Sequence, residues 1–160
     1  MQDLTCRDMR NGDEDAVSQL IRNSFLRFIA RDYKPEGLEI FLQETSAEGI
    51  AFKIREWPLL MVAEGCKDSG EAGIVGVIVL RRANHISLFF VDEDWHGKGV
   101  GRLLFHKAIQ RIRKINPEIQ SITVNSSPYG IGFYEKMGFR PSGPEQYMKG
   151  MLVNPMVFQL

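Results

Sequence analysis

Between residues 86 and 115 the chain changes character twice, and few folds accommodate that change. The run Ile86-Ser87-Leu88-Phe89-Phe90-Val91 reads as a strand, and a turn with glycine at 97, 99 and 101 follows. From Gly99 onward Leu104, Phe105, Ala108, Ile112 and Ile115 recur on one side of a helix, which Asn116-Pro117 stops. Glycines let backbone N–H groups approach a ligand with no Cβ in the way. A helix start adds unpaired N–H groups and about half a positive charge. Strand, glycine turn and helix start in this order make a site for phosphate. Four amide bonds to charged oxygens, at about 1.5–3 kcal/mol each, hold a pyrophosphate without a metal. Lys98 and Arg102 bring positive charge close by. Taken alone, such a turn is more often a plain tight connection. Its spacing is not Gly-x-x-x-x-Gly-Lys-Ser/Thr, which argues against a nucleoside triphosphatase. A dinucleotide fold places its glycine turn after the first strand, not after the fourth.

The other elements fall around this junction. Residues 4–9 alternate weakly and read as a first strand. Asn11 reads as a helix N-cap with Glu14 as its capping-box partner, and Val17, Leu20, Ile21, Ser24 and Phe28 form the inward stripe of that helix. Pro35 suits the first turn of a second helix with Leu38, Phe41 and Leu42 on its apolar face. After Pro58 the period shortens, and residues 59–64, 73–81 and 86–91 form a three-stranded meander. Residues 119–124 give another strand and 130–137 a short helix closed by Gly138. The tail, 147–158, holds one or two further strands. The chain is expected to be one α/β domain over residues 1–160, on a mixed sheet, in the order β-α-α-β-β-β-α-β-α-β-β.

Composition excludes several functions. Twenty basic side chains balance twenty acidic ones, so the basic excess of a nucleic-acid binder is missing. Cys6 and Cys66 have no metal-ligand spacing and read as reduced thiols. There is no basic-then-apolar leader, and no apolar run approaches the ~20 residues of a membrane span. The expectation is a soluble cytoplasmic protein with no metal and no nucleic-acid or membrane partner.

Two motifs carry a resemblance. At His96-Gly97-Lys98-Gly99-Val100-Gly101 the chain resembles the Gcn5-related N-acetyltransferases, the GNAT superfamily. Their signature at the start of the central helix is Gln/Arg-x-x-Gly-x-Gly/Ala. Gly99 and Gly101 match it, and His96 stands where Gln or Arg is usual. Farther on, Val124-Asn125-Ser126-Ser127-Pro128-Tyr129-Gly130-Ile131-Gly132 leads into Phe133-Tyr134-Glu135-Lys136-Met137-Gly138-Phe139. That stretch is similar to the family's strand-then-helix motif, with its Phe-Tyr-Glu-Lys-x-Gly-Phe hallmark complete. The element order agrees as well.

The resemblance implies an acetyl-CoA-dependent N-acetyltransferase whose sheet splays between the third meander strand and the strand ending at Val124. Backbone groups near Phe90 and Val91 would pair with the pantetheine, and Asn125 would contact that arm. The turn from His96 through Gly97, Lys98, Gly99, Val100 and Gly101 to Arg102 would hold the pyrophosphate. Tyr134 would lie against the cofactor and protonate the departing thiolate, with a backbone N–H near Val91 stabilising the oxyanion. For the base, Glu64 ranks ahead of Asp92, His85 and Glu44, and a route through bulk solvent stays open. Phe25, Phe28, Tyr33 and Trp57 are candidates for the acceptor pocket. The acceptor is expected to be a small-molecule primary amine that attacks directly in a ternary complex. Alternatives are a protein N-terminus or lysine, or a non-catalytic acyl-CoA-binding domain. A homodimer paired through the C-terminal strand is open by analogy.

Overall fold

The computed structural model describes residues 3–160. β1 (Thr5–Asp8), β2 (Leu59–Cys66), β3 (Ala72–Arg82) and β4 (His85–Val91) pair antiparallel in that order. In β3, Val75, Val77, Ile78, Val79 and Leu80 are all sealed from solvent. The strand reads as a continuous apolar run because both of its faces are covered. α1 (Glu14–Phe28), α2 (Pro35–Glu44) and α3 (Ala47–Glu56) cover one face through Val17, Ile21, Phe25, Phe41 and Ile50. α4 (Val100–Ile115) covers the other through Leu104, Phe105, Ala108 and Ile112, joined by Tyr134 of α5 (Ile131–Met137). Gly76 of β3 leaves room for Val100 and Leu104, which a Cβ there would meet at 2.8 and 2.9 Å. The first turn of α4 is thereby seated directly on the sheet.

The second half of the sheet comes from β5 (Ser121–Ser126), β6 (Arg140–Pro141), β7 (Gln146–Met148) and β8 (Met151–Gln159). The strand order is β1-β2-β3-β4-β5-β8-β6, with β7 paired to β8. β4 and β5 are parallel and pair at only two positions, His85 with Thr123 and Ile86 with Val124. Beyond them the strands part and leave a seam through the sheet. The closed end is pinned by His85 Nδ1 and Thr123 Oγ1, 2.8 Å apart. Burial, helped by Arg81 and Arg82, holds the His85 imidazole below its ordinary pKa.

The fold class agrees with the sequence reading, and four details differ, the smallest being β6, which the reading did not place. The N-cap of α1 is Asp13, not Asn11. The Asp13 carboxylate accepts hydrogen bonds from the Arg7 guanidinium and the Arg10 N–H, and Arg7 holds it below the usual carboxylate range. Glu14 Oε2 accepts from the Gly12 N–H rather than closing a box on Asn11. The third difference is α3, which the sequence reading left without structure. Its apolar stripe is thin, with Ile50 buried but Phe52 exposed and Gly49 in its first turn. The signals present were Ser46, whose hydroxyl accepts from the Gly49 N–H, and basic residues in the last turn. Among the described residues no helix is long and apolar enough to cross a membrane.

Candidate active site

The seam opens into a cavity of about 540 Å³ that reaches both faces of the sheet. On one face its wall is the N-terminus of α4. Gly97 and Gly99 adopt φ of 74° and 82°, the left-handed region where a side chain is strained. They turn the chain so that α4 starts pointing at the cavity. Leu103 is the first residue of the helix whose N–H finds a backbone acceptor, the Gly99 carbonyl at 3.0 Å. Among the described residues the N–H groups of Val100, Gly101 and Arg102 have no backbone partner. Gly101 packs against Phe133: a Cβ there would lie 2.6 Å from the outer end of that ring, which would have to move aside. Arg102 is on the wall, and so is Lys136 from α5.

Along the seam the free edge of β4 faces the cavity. The Asp92 N–H donates to the Val75 carbonyl at 2.8 Å, back into β3. Trans-peptide geometry then turns the Val91 carbonyl the other way. Strand alternation puts the N–H and C=O of Phe89 on that same side. His96 Nε2 lies 3.0 Å from the Val91 carbonyl oxygen, so the imidazole donates to the β4 edge. This shifts the sequence reading by one residue. Phe90 turns its backbone groups toward β3, opposite Val77, and presents its side chain to the cavity. Asn125 lies across the seam on β5, also on the wall.

Tyr134 is 7% exposed, with its ring against Phe89, Phe133 and Phe139. Its hydroxyl makes no hydrogen bond to the protein among the described residues and is not sealed off, so it opens to the cavity. Burial pushes its pKa well above the ordinary tyrosine value, and the proton stays on.

The face carrying α1 and α2 contributes rings. Phe28, Tyr33, Phe41 and Phe90 line the cavity there. The rings of Tyr33 and Phe41 are 6.0 Å apart and near perpendicular, and Phe41 and Phe90 are 6.2 Å apart. Phe28 stacks on Tyr129 of the β5–α5 connection at 4.5 Å and 6°.

Several expected residues lie elsewhere. Glu64 is off the wall: its carboxylate accepts from the Arg7 guanidinium, which also serves Asp13. Phe25 is fully buried behind the rings of Tyr33 and Phe41 and supports them without touching the cavity. Lys98 turns away, with Nζ 5.2 Å from the Trp95 ring centroid. Of the other base candidates, Asp92 caps the short turn after β4 by accepting from the Asp94 N–H, and Glu44 gives its carbonyl to Lys53. Trp57 lies under Lys53. The sequence reading missed Phe41, Phe89, Tyr129 and Phe133 as wall residues. Phe133 sits inside the quoted motif, so a signal for it existed; Phe41 read only as part of a helix face.

Comparison with known proteins agrees with this geometry. The acetyltransferase (GNAT) domain profile matches residues 29–160. The peptidyl-lysine N-acetyltransferase YjaB of Escherichia coli is 33% identical over 69 residues, an alignment covering 43% of this chain and 44% of that protein. The match thus spans less than half the length of that relative. A PaiA N-acetyltransferase from Thermoplasma acidophilum, solved with coenzyme A, superposes with a TM-score of 0.78 over 99% of both chains at 18% identity. A GCN5-related N-acetyltransferase from Rhodopseudomonas palustris gives 0.76 over 98% of this chain and 95% of that one, at 21% identity. The fold is the one these N-acetyltransferase structures share. The chain belongs to the GNAT N-acetyltransferase family.

Proposed function

We propose that this protein transfers the acetyl group of acetyl-CoA to a primary amine of a small-molecule acceptor, by direct attack within a ternary complex. The observation that carries the reading is one continuous cavity joining unpaired N–H groups at a helix start to an aromatic chamber, with the free hydroxyl of Tyr134 on its wall. The N–H groups of Val100, Gly101 and Arg102 suit the pyrophosphate, with Arg102 beside them. The open edge of β4 at Phe89 and Val91, and Asn125 opposite, suit the amides of the pantetheine arm.

The neutral amine nitrogen attacks the thioester carbonyl carbon; a C–N bond forms and the C–S bond breaks. Sulfur leaves with the bonding pair and takes the proton of the Tyr134 hydroxyl. The surplus proton on nitrogen returns to the tyrosinate through water, so the products are an amide and a thiol. Holding both reactants in one cleft, aligned for attack, can supply up to about 7–11 kcal/mol of barrier lowering. The N–H groups of the open β4 edge are the donors available to the oxyanion.

A second reading, acetylation of a protein lysine, follows the name of the Escherichia coli relative. Thiol release from acetyl-CoA across amines, lysyl peptides and aminoglycosides tests both. Turnover of a small amine with product mass raised by one acetyl group supports the first reading. Turnover of peptides alone supports the second. Acetyl-CoA binding without thiol release from any acceptor would overturn both and leave a non-catalytic binding domain.

A further inference from the structure

The two mouths of the seam differ in chemistry, and that difference specifies the acceptor. The charged side chains Arg102 and Lys136 belong to α4 and α5, on the face where the helix N-terminus would meet phosphate. The opposite mouth is built from Ser24, Phe28, Ile29, Tyr33, Phe41 and Phe90. Phe25 packs behind the rings of Tyr33 and Phe41 at 5.0 and 4.0 Å between centroids, and it is fully buried, so the wall is held in place. The polar groups offered there are the hydroxyls of Ser24 and Tyr33 and, beside Phe28, the His96 imidazole, whose Nε2 is engaged with the Val91 carbonyl. Outside the rings Arg27, paired with Glu93, lies over Phe28. The Tyr33 hydroxyl makes no hydrogen bond to the protein among the described residues. Burial pushes its pKa up to about 12, so it is a neutral donor at any working pH.

We propose that this chamber selects a monoamine carried on an aromatic or branched apolar body. The proposal rests on the acetyl-transfer reading above and names its substrate class. An apolar body gains by leaving water for such a wall. Rings at these spacings and tilts offer edge-to-face contacts to an aromatic guest. A polyamine or aminoglycoside would carry a second ammonium into the same space. That charge would give up its hydration against a wall that holds no carboxylate among the described residues, the nearby Glu93 being paired with Arg27. Attraction of an ammonium to ring faces is the competing effect, and a diamine probes it directly.

The test uses the full chain and compares kcat/KM for phenethylamine, diaminobutane and a lysyl peptide at saturating acetyl-CoA. Phenethylamine is expected to exceed the other two by about tenfold or more, the scale that burial of one ring confers. Phe41→Leu, a modest change in shape, is expected to raise KM for phenethylamine about fivefold while leaving the dissociation constant of acetyl-CoA unchanged. The comparison of amines on the unaltered chain stands even if that variant does not fold. Faster turnover of diaminobutane or of the lysyl peptide overturns the chamber inference and leaves acetyl transfer intact. Failure of every amine, with acetyl-CoA still bound by calorimetry, overturns acetyl transfer itself and this inference with it.

Discussion

Replacing Tyr134 with phenylalanine removes one oxygen from the wall and nothing from the packing. The ring keeps its neighbours: the centroids of Phe133 and Phe139 lie at 5.3 and 5.2 Å and that of Phe89 at 6.1 Å. The lost hydroxyl has no protein partner among the described residues and is not sealed off, so no buried donor or acceptor is orphaned. The stability of Tyr134→Phe is therefore expected to stay within about 1 kcal/mol of the parent. The rate is another matter. A positioned general acid contributes at least about 10²-fold, or roughly 2.7 kcal/mol at 1.36 kcal/mol per decade. The assay is thiol release at saturating acetyl-CoA, run beside a thermal melt and calorimetric titration of acetyl-CoA. The expected result is kcat down about a hundredfold, with melting temperature and cofactor affinity unmoved. Because burial keeps this phenol protonated well past its ordinary pKa, the ratio of parent to variant rates is expected to hold constant up to about pH 10. A kcat within about threefold of the parent would refute the acid role. So would a fall in kcat that tracks a fall in melting temperature.

Three further outcomes are expected. Gly101→Trp puts an indole where a Cβ alone meets Phe133 at 2.6 Å; masking two amide–phosphate bonds should weaken coenzyme A binding about a hundredfold by calorimetry, with the circular dichroism spectrum retained. Glu64→Gln should cost about 1 kcal/mol in a denaturant melt by loosening Arg7, and leave kcat unchanged, because Glu64 serves the Arg7–Asp13 cluster and not the cavity. The His85 imidazole is held below its ordinary value in the folded chain, so the unfolded chain binds the extra proton first on acidification. Stability should therefore be whole above about pH 6.5 and decline below it; His85→Gln should flatten that part of the profile, measured by melts across pH.

What the sequence made legible follows from how local each cause is. The α4 junction was readable because its determinants, three glycines and a helical stripe, lie within a few residues of one another. The Phe133–Phe139 motif was readable for the same reason. Glu64 was misplaced because its partner Arg7 is distant in sequence and meets it only when β1 pairs with β2. Phe90 and Val91 were named together, but the facing of their backbone groups depends on the ladder with β3, fixed by the Asp92–Val75 bond. Lys98 looked like a phosphate ligand by proximity, and the left-handed turns at Gly97 and Gly99 swing it toward Trp95. α3 was missed because tertiary contacts, not periodicity, hold it: buried Lys53 reaches back to the Glu44 carbonyl at 2.7 Å.

The two-rung pairing of β4 with β5 also leaves a place in the sheet that, on the proposed function, the co-substrate would fill. An arm of amides laid along the open β4 edge would act as a guest strand, completing a ladder that the polypeptide leaves unfinished. Hydrogen exchange should read this directly. The amides of Phe89 and Val91 should exchange readily in the free chain and be protected once the cleft is filled. By mass action, coenzyme A at a hundred times its dissociation constant would add about 2.7 kcal/mol to stability. Cellular acyl-CoA supply would then set how long this chain survives as well as how fast it turns over.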